Sequence, residues 1–306
     1  MFTRFALLAT STSGLVLCQH DLLAIKGHSR DINAVACSPV AAMFVSGGAD
    51  EKTVIWDVAS RQQIAEVPAG GSVMSLAFSP DGTRIAAGEN YHKIRLMDPT
   101  GKAISTLEGH EASVIAVGFT ADGKRLISFG SDGAMRFWDA RTGAPQGDSP
   151  TARDTYWSGA FSRDTSWFAG GSIGGSIYLF NLKTKKMGIK ITAGQGVKAV
   201  AFSPDGMIVA AALNDSTVRL FSTADGKAVG SVPGVDGNGI AYSPEGMQIA
   251  VAGHDVHVKI IDAGSLQVVA SMKGHDRTVR SVCFMPDGRS VVSGSFDMTV
   301  RMWPVP

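Results

Sequence analysis

An all-β ring is the fold class this sequence predicts: a seven-bladed β-propeller of four-stranded antiparallel blades, closed by an N-terminal strand. Three observations carry that prediction. An anchor residue recurs at a nearly fixed interval, a turn signature precedes each anchor, and the stretches between alternate apolar and polar residues. The anchors are Trp56, Met97, Trp138, Phe180, Phe221, Ile261 and Trp303, at spacings of 41, 41, 42, 41, 40 and 42. About 18 residues before each stands a turn signature: SPVA, SPDG, TADG, SRDT, SPDG, SPEG and MPDG. Self-similarity at a fixed period of ~20–50 residues marks a repeat architecture rather than separate domains.

Each repeat contains four short strand-like runs. In the third they are SVIAVGF, RLISFG, AMRFWD and a degenerate PQGDSP. Alternation over ~4–8 residues marks half-buried strands, and Gly/Asp/Pro clusters between them mark hairpin turns. Glycine accounts for 36 of the 306 residues, evenly spread, against a usual ~7%, which fits many tight turns. One such sheet leaves both faces bare, and radial stacking of seven buries them.

The fourth strand of each repeat runs just before the next repeat begins, as in AISTLEGH and VVASMKGH. The opening DLLAIKGH has the same phase, whereas the last repeat stops at MWPVP, after its third strand. Residues 20–26 are therefore expected to complete blade seven and cover its open edge, making 20–306 a single propeller. Residues 1–19 read as an N-terminal extension or vestigial half-repeat, because LLATSTSGLVLCQH echoes LISFGSDGAMRFWD. As a secretion signal the apolar stretch FALLA is short and is broken by TSTSG. Cytoplasmic residence is the expectation, with secretion directed by residues 1–19 as the alternative.

The third repeat, GHEASVIAVGFTADGKRLISFGSDGAMRFWD, resembles a WD repeat, opened by Gly109–His110 and closed by Trp138–Asp139. The resemblance covers residues 20–306 and is most specific in repeats one, three and seven; the other four lack the Gly-His pair. His28, Ser46 and Asp50 are the residue types of nucleophilic catalysis. The same trio recurs as His110, Ser128, Asp132 and as His275, Ser293, Asp297, always 28, 10 and 6 residues before Trp56, Trp138 or Trp303. Three copies at one repeat phase point to a device of the fold. The resemblance implies a hydrogen-bonded Trp–Ser–His–Asp chain inside each of these blades, which would satisfy buried polar groups together. The remaining blades keep only parts of the set and are expected to rely on packing, with blades two and four the softer ones.

Composition narrows the function. Lys plus Arg number 28 against 27 for Asp plus Glu, so the basic excess of a nucleic-acid binder is missing. No apolar run reaches the ~18 residues of a membrane span. Cys18, Cys37 and Cys283 are isolated and read as buried or incidental thiols, with neither a disulfide framework nor metal spacing. His254 and His257 lack a third ligand, and GGSIGGS reads as a turn rather than a phosphate loop. The expectation is no cofactor, no metal, no nucleic acid and no small-molecule substrate.

What the WD-repeat resemblance implies is a non-catalytic protein–protein interaction scaffold or adaptor subunit, binding on the face that carries the loop before each first strand. The alternatives are a propeller enzyme of hydrolase or lactonase type and an exported sensor. Mapping that face by repeat phase puts Met74, Ile115, Trp157 and Ile173 in an apolar arc on blades two to four, the expected main partner site. Lys198, Arg280 and Phe296 complete the candidate partner-binding residues. Trp157 has a second reading, as a core residue of a blade without the full set. Lys183, Lys185, Lys186 and Lys190 surround one hairpin, read as a solvated turn with an acidic-partner patch as the alternative.

Overall fold

The computed structural model describes residues 23–150 and 154–306, and every regular element within them is a β-strand. The strands form seven four-stranded antiparallel sheets. Blades one to six are consecutive in the chain, over residues 32–68, 73–108, 114–150, 156–192, 197–233 and 237–273. Blade seven takes three strands from the C-terminal side, Val279–Phe284, Ser290–Ser295 and Thr299–Pro304. Its outer strand is Leu23–Lys26, paired antiparallel so that Ala24 opposes Arg301 and Ile25 opposes Val300. The expected N-terminal closure is therefore the one the fold uses. The extension over residues 1–19, and residues 20–22 of the expected closing segment, lie outside the described residues.

The first strand of each blade packs against the first strands of both neighbours, and this inner ring surrounds a channel. The apolar residues of the strands collect into buried clusters, one at each blade–blade interface, among them Ala86, Ile94 and Leu96 of blade two with Val114 and Leu126 of blade three. Alternation thus gives each sheet two apolar faces, and a ring is the arrangement that leaves neither face of any blade exposed.

Turn chemistry explains the SPDG signature. In blade two the Ser79 hydroxyl donates to Asp81 at 2.6 Å, and Gly82 closes the turn at φ 69°. That conformation favours glycine. Blade four has Thr165 in the equivalent place at φ 51°, a departure already visible as SRDT.

A second recurrent feature marks one face of the ring. Every first strand carries a β-bulge near its start, where pairing skips one residue: Asn33, Met74, Ile115, Trp157, Lys198, Asn238 and Arg280. A bulge re-aims the side chain it leaves unpaired. Here it is repeated around the ring.

The cysteine reading needs correction. Cys37 and Cys283 form a disulfide across the blade seven–blade one interface, with Cα atoms 5.9 Å apart. The physical reason lies in the repeat itself. The sixth residue of the first strand is aromatic in blades two to seven, from Phe78 to Phe284, and packs on the fifth residue of the preceding blade, which is Ala or Gly. A Cβ added at Gly118 would fall within 2.5 Å of Phe161. At one interface alone both positions change, to Cys283 on blade seven and Cys37 on blade one. The 246 residues between them vanish once the ring closes.

Candidate partner-binding face at the channel mouth

The three tetrads are assembled as continuous hydrogen-bonded chains. In blade one the Trp56 indole N–H donates to Ser46 Oγ at 2.8 Å, Ser46 Oγ lies 2.7 Å from His28 Nε2, and His28 Nδ1 lies 2.9 Å from Asp50. Blade three repeats this with Trp138, Ser128, His110 and Asp132 at 2.9, 2.8 and 2.9 Å. Blade seven does so with Trp303, Ser293, His275 and Asp297, each step 2.8 Å. A neutral imidazole satisfies every partner if Nδ1–H donates to the carboxylate and Nε2 accepts from serine. Burial accordingly lowers the His110 pKa, against the pull of Asp132. Asp132 and Asp297 are both held below the usual carboxylate range. Burial opposes this, but it is outweighed by hydrogen bonds led by the Glu111 and Ala134 N–H groups for Asp132 and by His275 and Thr299 for Asp297. Ser46, Ser128 and Ser293 are fully buried, so their oxygens face the indole and imidazole rather than solvent.

The other four blades replace the tetrad with polar pairs. Blade two buries Glu89 against Arg95 at 2.7 Å. Blade four joins the Tyr178 hydroxyl to Asp154 at 2.9 Å. Blade five pairs Asp215 with Arg219 at 2.6 Å, and blade six pairs Asp255 with Lys259 at 2.7 Å. These blades do not rest on packing alone. The second partner always stands two residues before the anchor, a signal the repeat frame already contained.

On the face carrying the bulges, Ile115, Trp157, Lys198 and Arg280 line one cavity of about 150 Å³ at the channel mouth, together with Asn33 and Asn238. Trp157 is 43% exposed, so its core reading does not hold. Met74 lies beside this group, its Sδ 3.9 Å from Asn33 Nδ2. Ile173, 40% exposed, and Phe296 sit farther out, on turns between second and third strands. Their backbone N–H groups are tied to the loop before the first strand, at Thr155 O (2.9 Å) and Thr278 O (3.0 Å). The apolar arc and the polar residues therefore do not form separate regions, because the bulge residues of both converge on one opening. Asn33 and Asn238 belong to it as much as the residues chosen by side-chain character, and the bulge is the feature that identifies them.

The opposite end of the channel is lined differently, by Phe161, Phe202, Tyr242, Phe284 and the Cys37–Cys283 pair, around a cavity of about 400 Å³. Burial, with Asp205 next, pushes the Tyr242 phenol above its usual range. Two of the hairpin lysines rest on rings: Lys185 Nζ lies 4.4 Å from the centre of Phe137 and Lys190 Nζ 5.4 Å from that of Tyr178. Among the described residues no group of three or more His, Cys, Asp or Glu could hold a metal ion, and no helix is long and apolar enough to cross a membrane.

Known proteins resemble the chain as follows. It is 31% identical over 190 residues to WD repeat-containing protein SL1-17 of Schistosoma mansoni, covering 61% of this chain and 63% of that protein. It is 30% identical over 120 residues to transcription factor unc-37 of Caenorhabditis elegans (39% of this chain, 20% of the relative). It is 27% identical over 206 residues to the mouse F-box-like/WD repeat-containing protein TBL1X (60% and 38%). The chain thus spans between 20% and 63% of the length of these curated relatives. The family model for the WD domain, G-beta repeat, matches residues 266–304, and that for the IFT122 first beta-propeller matches residues 16–238. With most of its length matched, seven blades and repeated Trp–Ser–His–Asp chains, the chain belongs to the IFT122 first-β-propeller family of WD-repeat propellers.

Proposed function

We propose that this propeller is a non-catalytic protein-interaction scaffold that holds a partner protein at the channel mouth of its bulge-bearing face. The observation that carries this reading is Trp157, 43% exposed and set in the same cavity as Ile115, Lys198 and Arg280. Tryptophan and arginine are enriched among interface hot spots, and exposed apolar clusters on proteins mark contact surfaces. Two relatives, unc-37 and TBL1X, carry the matched region as a part of longer chains, which suits a recognition module. A nucleophile has to meet its substrate, and the three tetrad serines are enclosed, which supports a structural role for them.

The test is Trp157→Ala, assayed by titration or pull-down of the co-purifying partner with thermal melts alongside. The expected result is a loss of at least ~2 kcal/mol, about 30-fold in affinity, with little change in melting. Lys198→Ala is expected to do much less, since its ammonium is already paired with Asp236 at 2.7 Å. A Trp157→Ala protein that melts normally and binds normally places the partner elsewhere, the Lys183–Lys190 hairpin being the next surface to try.

A further inference from the structure

Among the described residues the channel mouth carries one cation without a counter-charge. Of the seven bulge residues, two are charged. Lys198 is neutralised by Asp236, 2.7 Å away. The neighbouring Arg277 is engaged too, by Asp31 at 3.3 Å and by Phe296 O at 2.9 Å. Arg280 is half-buried and has no hydrogen-bond or ion-pair partner among the described residues. Burial pushes its pKa down from the ordinary arginine value, with no acidic neighbour opposing the shift, and the guanidinium stays protonated. In the same wall Asn238 Nδ2 is buried without an acceptor. Ile115, Trp157, Val200 and Ile240 supply apolar wall around the two donors.

The size of the opening limits what fits. At about 150 Å³ it is smaller than the ~300–1,000 Å³ of small-molecule and cofactor sites, and it suits a single side chain. A planar guanidinium in a half-buried, partly apolar setting matches a carboxylate, which can accept two parallel N–H bonds.

We propose that the mouth takes the carboxylate of an aspartate or glutamate on the partner protein, with Arg280 supplying the counter-charge. This rests on the reading of the mouth as the partner site. The ligand's apolar neighbours in sequence lie against Trp157 and Ile115, and its charge replaces the one the propeller does not provide.

The experiment uses the full chain and blocked synthetic peptides with a fixed set of apolar flanks and Glu, Gln or Lys at the centre. Glu-centred peptides are expected to bind about tenfold tighter than their Gln and Lys counterparts. That preference should disappear in Arg280→Gln and partly return in Arg280→Lys. Equal binding of Glu and Gln peptides by the unmodified protein, no binding of either, or a preference that survives Arg280→Gln overturns the proposal. The Glu-to-Gln comparison on the unmodified protein needs no variant to fold. Capture of the co-purifying partner separates the two readings. If Trp157→Ala loses the partner while Arg280→Gln keeps it, the mouth is the site and the carboxylate inference falls. If neither variant loses it, both fall.

Discussion

The interface between blades seven and one differs from that between blades four and five in how it is held. Blades four and five meet through an apolar cluster including Ile177, Ile191, Val197, Val209 and Phe221, and neither has a tetrad. The chain itself passes directly from one to the other, between Thr192 and Val197. At the seven–one interface both blades carry a tetrad, the Val35 N–H donates to Ser281 Oγ at 3.1 Å, Arg277 reaches Asp31, and Cys37 is bonded to Cys283. Here the chain links Lys26 to Ile32, and the strand ending at Lys26 is held to blade seven by its ladder with Thr299–Pro304 and by Ile25 in the apolar cluster of that interface. Polar and covalent bonds are concentrated where chain continuity does not close the ring. The clasp and the disulfide act in parallel, one at the rim of blade seven and one beside the channel.

Removing residues up to Lys26 should do most damage. It leaves the Thr299–Pro304 edge unpaired, and open edges pair with other chains, so aggregation is expected on size exclusion, with a lower melting temperature. A truncated protein starting at Gly27 that stays monomeric and melts unchanged would show that the clasp is dispensable. The equivalent outer strand of blade four, Lys186–Thr192, belongs to a sheet continuous in sequence, which is why the comparison isolates closure from strand loss.

Breaking the Cys37–Cys283 bond comes next. Cys283→Ser is expected to cost about 2–5 kcal/mol, the usual range for loss of a native disulfide, read as a lower urea midpoint. A reductant should move the unmodified protein toward the variant and leave the variant where it is. No shift with reductant would mean that the two sulfurs contribute nothing as a bond. Disulfides persist in oxidising compartments; in a reducing one the clasp closes the ring unaided.

The smallest effect should come from a tetrad away from this interface. Ser128→Ala removes the hydroxyl that joins Trp138 to His110 and leaves both buried groups unsatisfied, costing roughly 1–3 kcal/mol. Thermal melts read this directly, and no single activity should vanish with it. Intact stability together with loss of a measured hydrolase activity would instead make the trio catalytic.

Much of the fold was legible because its determinants are local. Alternation sets strands, SPDG-type sequences set turns, and the interval between Trp56, Met97 and Trp138 sets the blade. Even the closure could be read, since DLLAIK supplied the strand that MWPVP lacked. The channel-mouth residues were legible by phase but not by grouping. Sorting Ile115 and Trp157 from Lys198 and Arg280 by polarity separated neighbours that one repeated bulge places at a single opening, with Met74 beside it, whereas Ile173 sits on a turn farther out. The polar pairs of blades two, five and six were not legible by residue type, because their basic partners are not among the tetrad's own residues. Arg95, Arg219 and Lys259 occupy one repeat position, where position, not type, was the signal.

The sequence by itself determined the repeat, the strand order within each blade, the closure and the candidate tetrad residues. The repeat, the strand order and the tetrads depend on periodicity and on contacts within a few tens of residues; the closure was readable from the phase that DLLAIK shares with the other outer strands, although its ladder joins Ala24 to Arg301. Only the tertiary structure decided that Cys37 meets Cys283, that Lys198 finds Asp236 while Arg280 finds no carboxylate among the described residues, and that both face the cavity of Trp157. Those outcomes belong to the closed ring. They arise from side chains on different blades whose distance along the chain says nothing about their distance around the channel, and no local propensity encodes them.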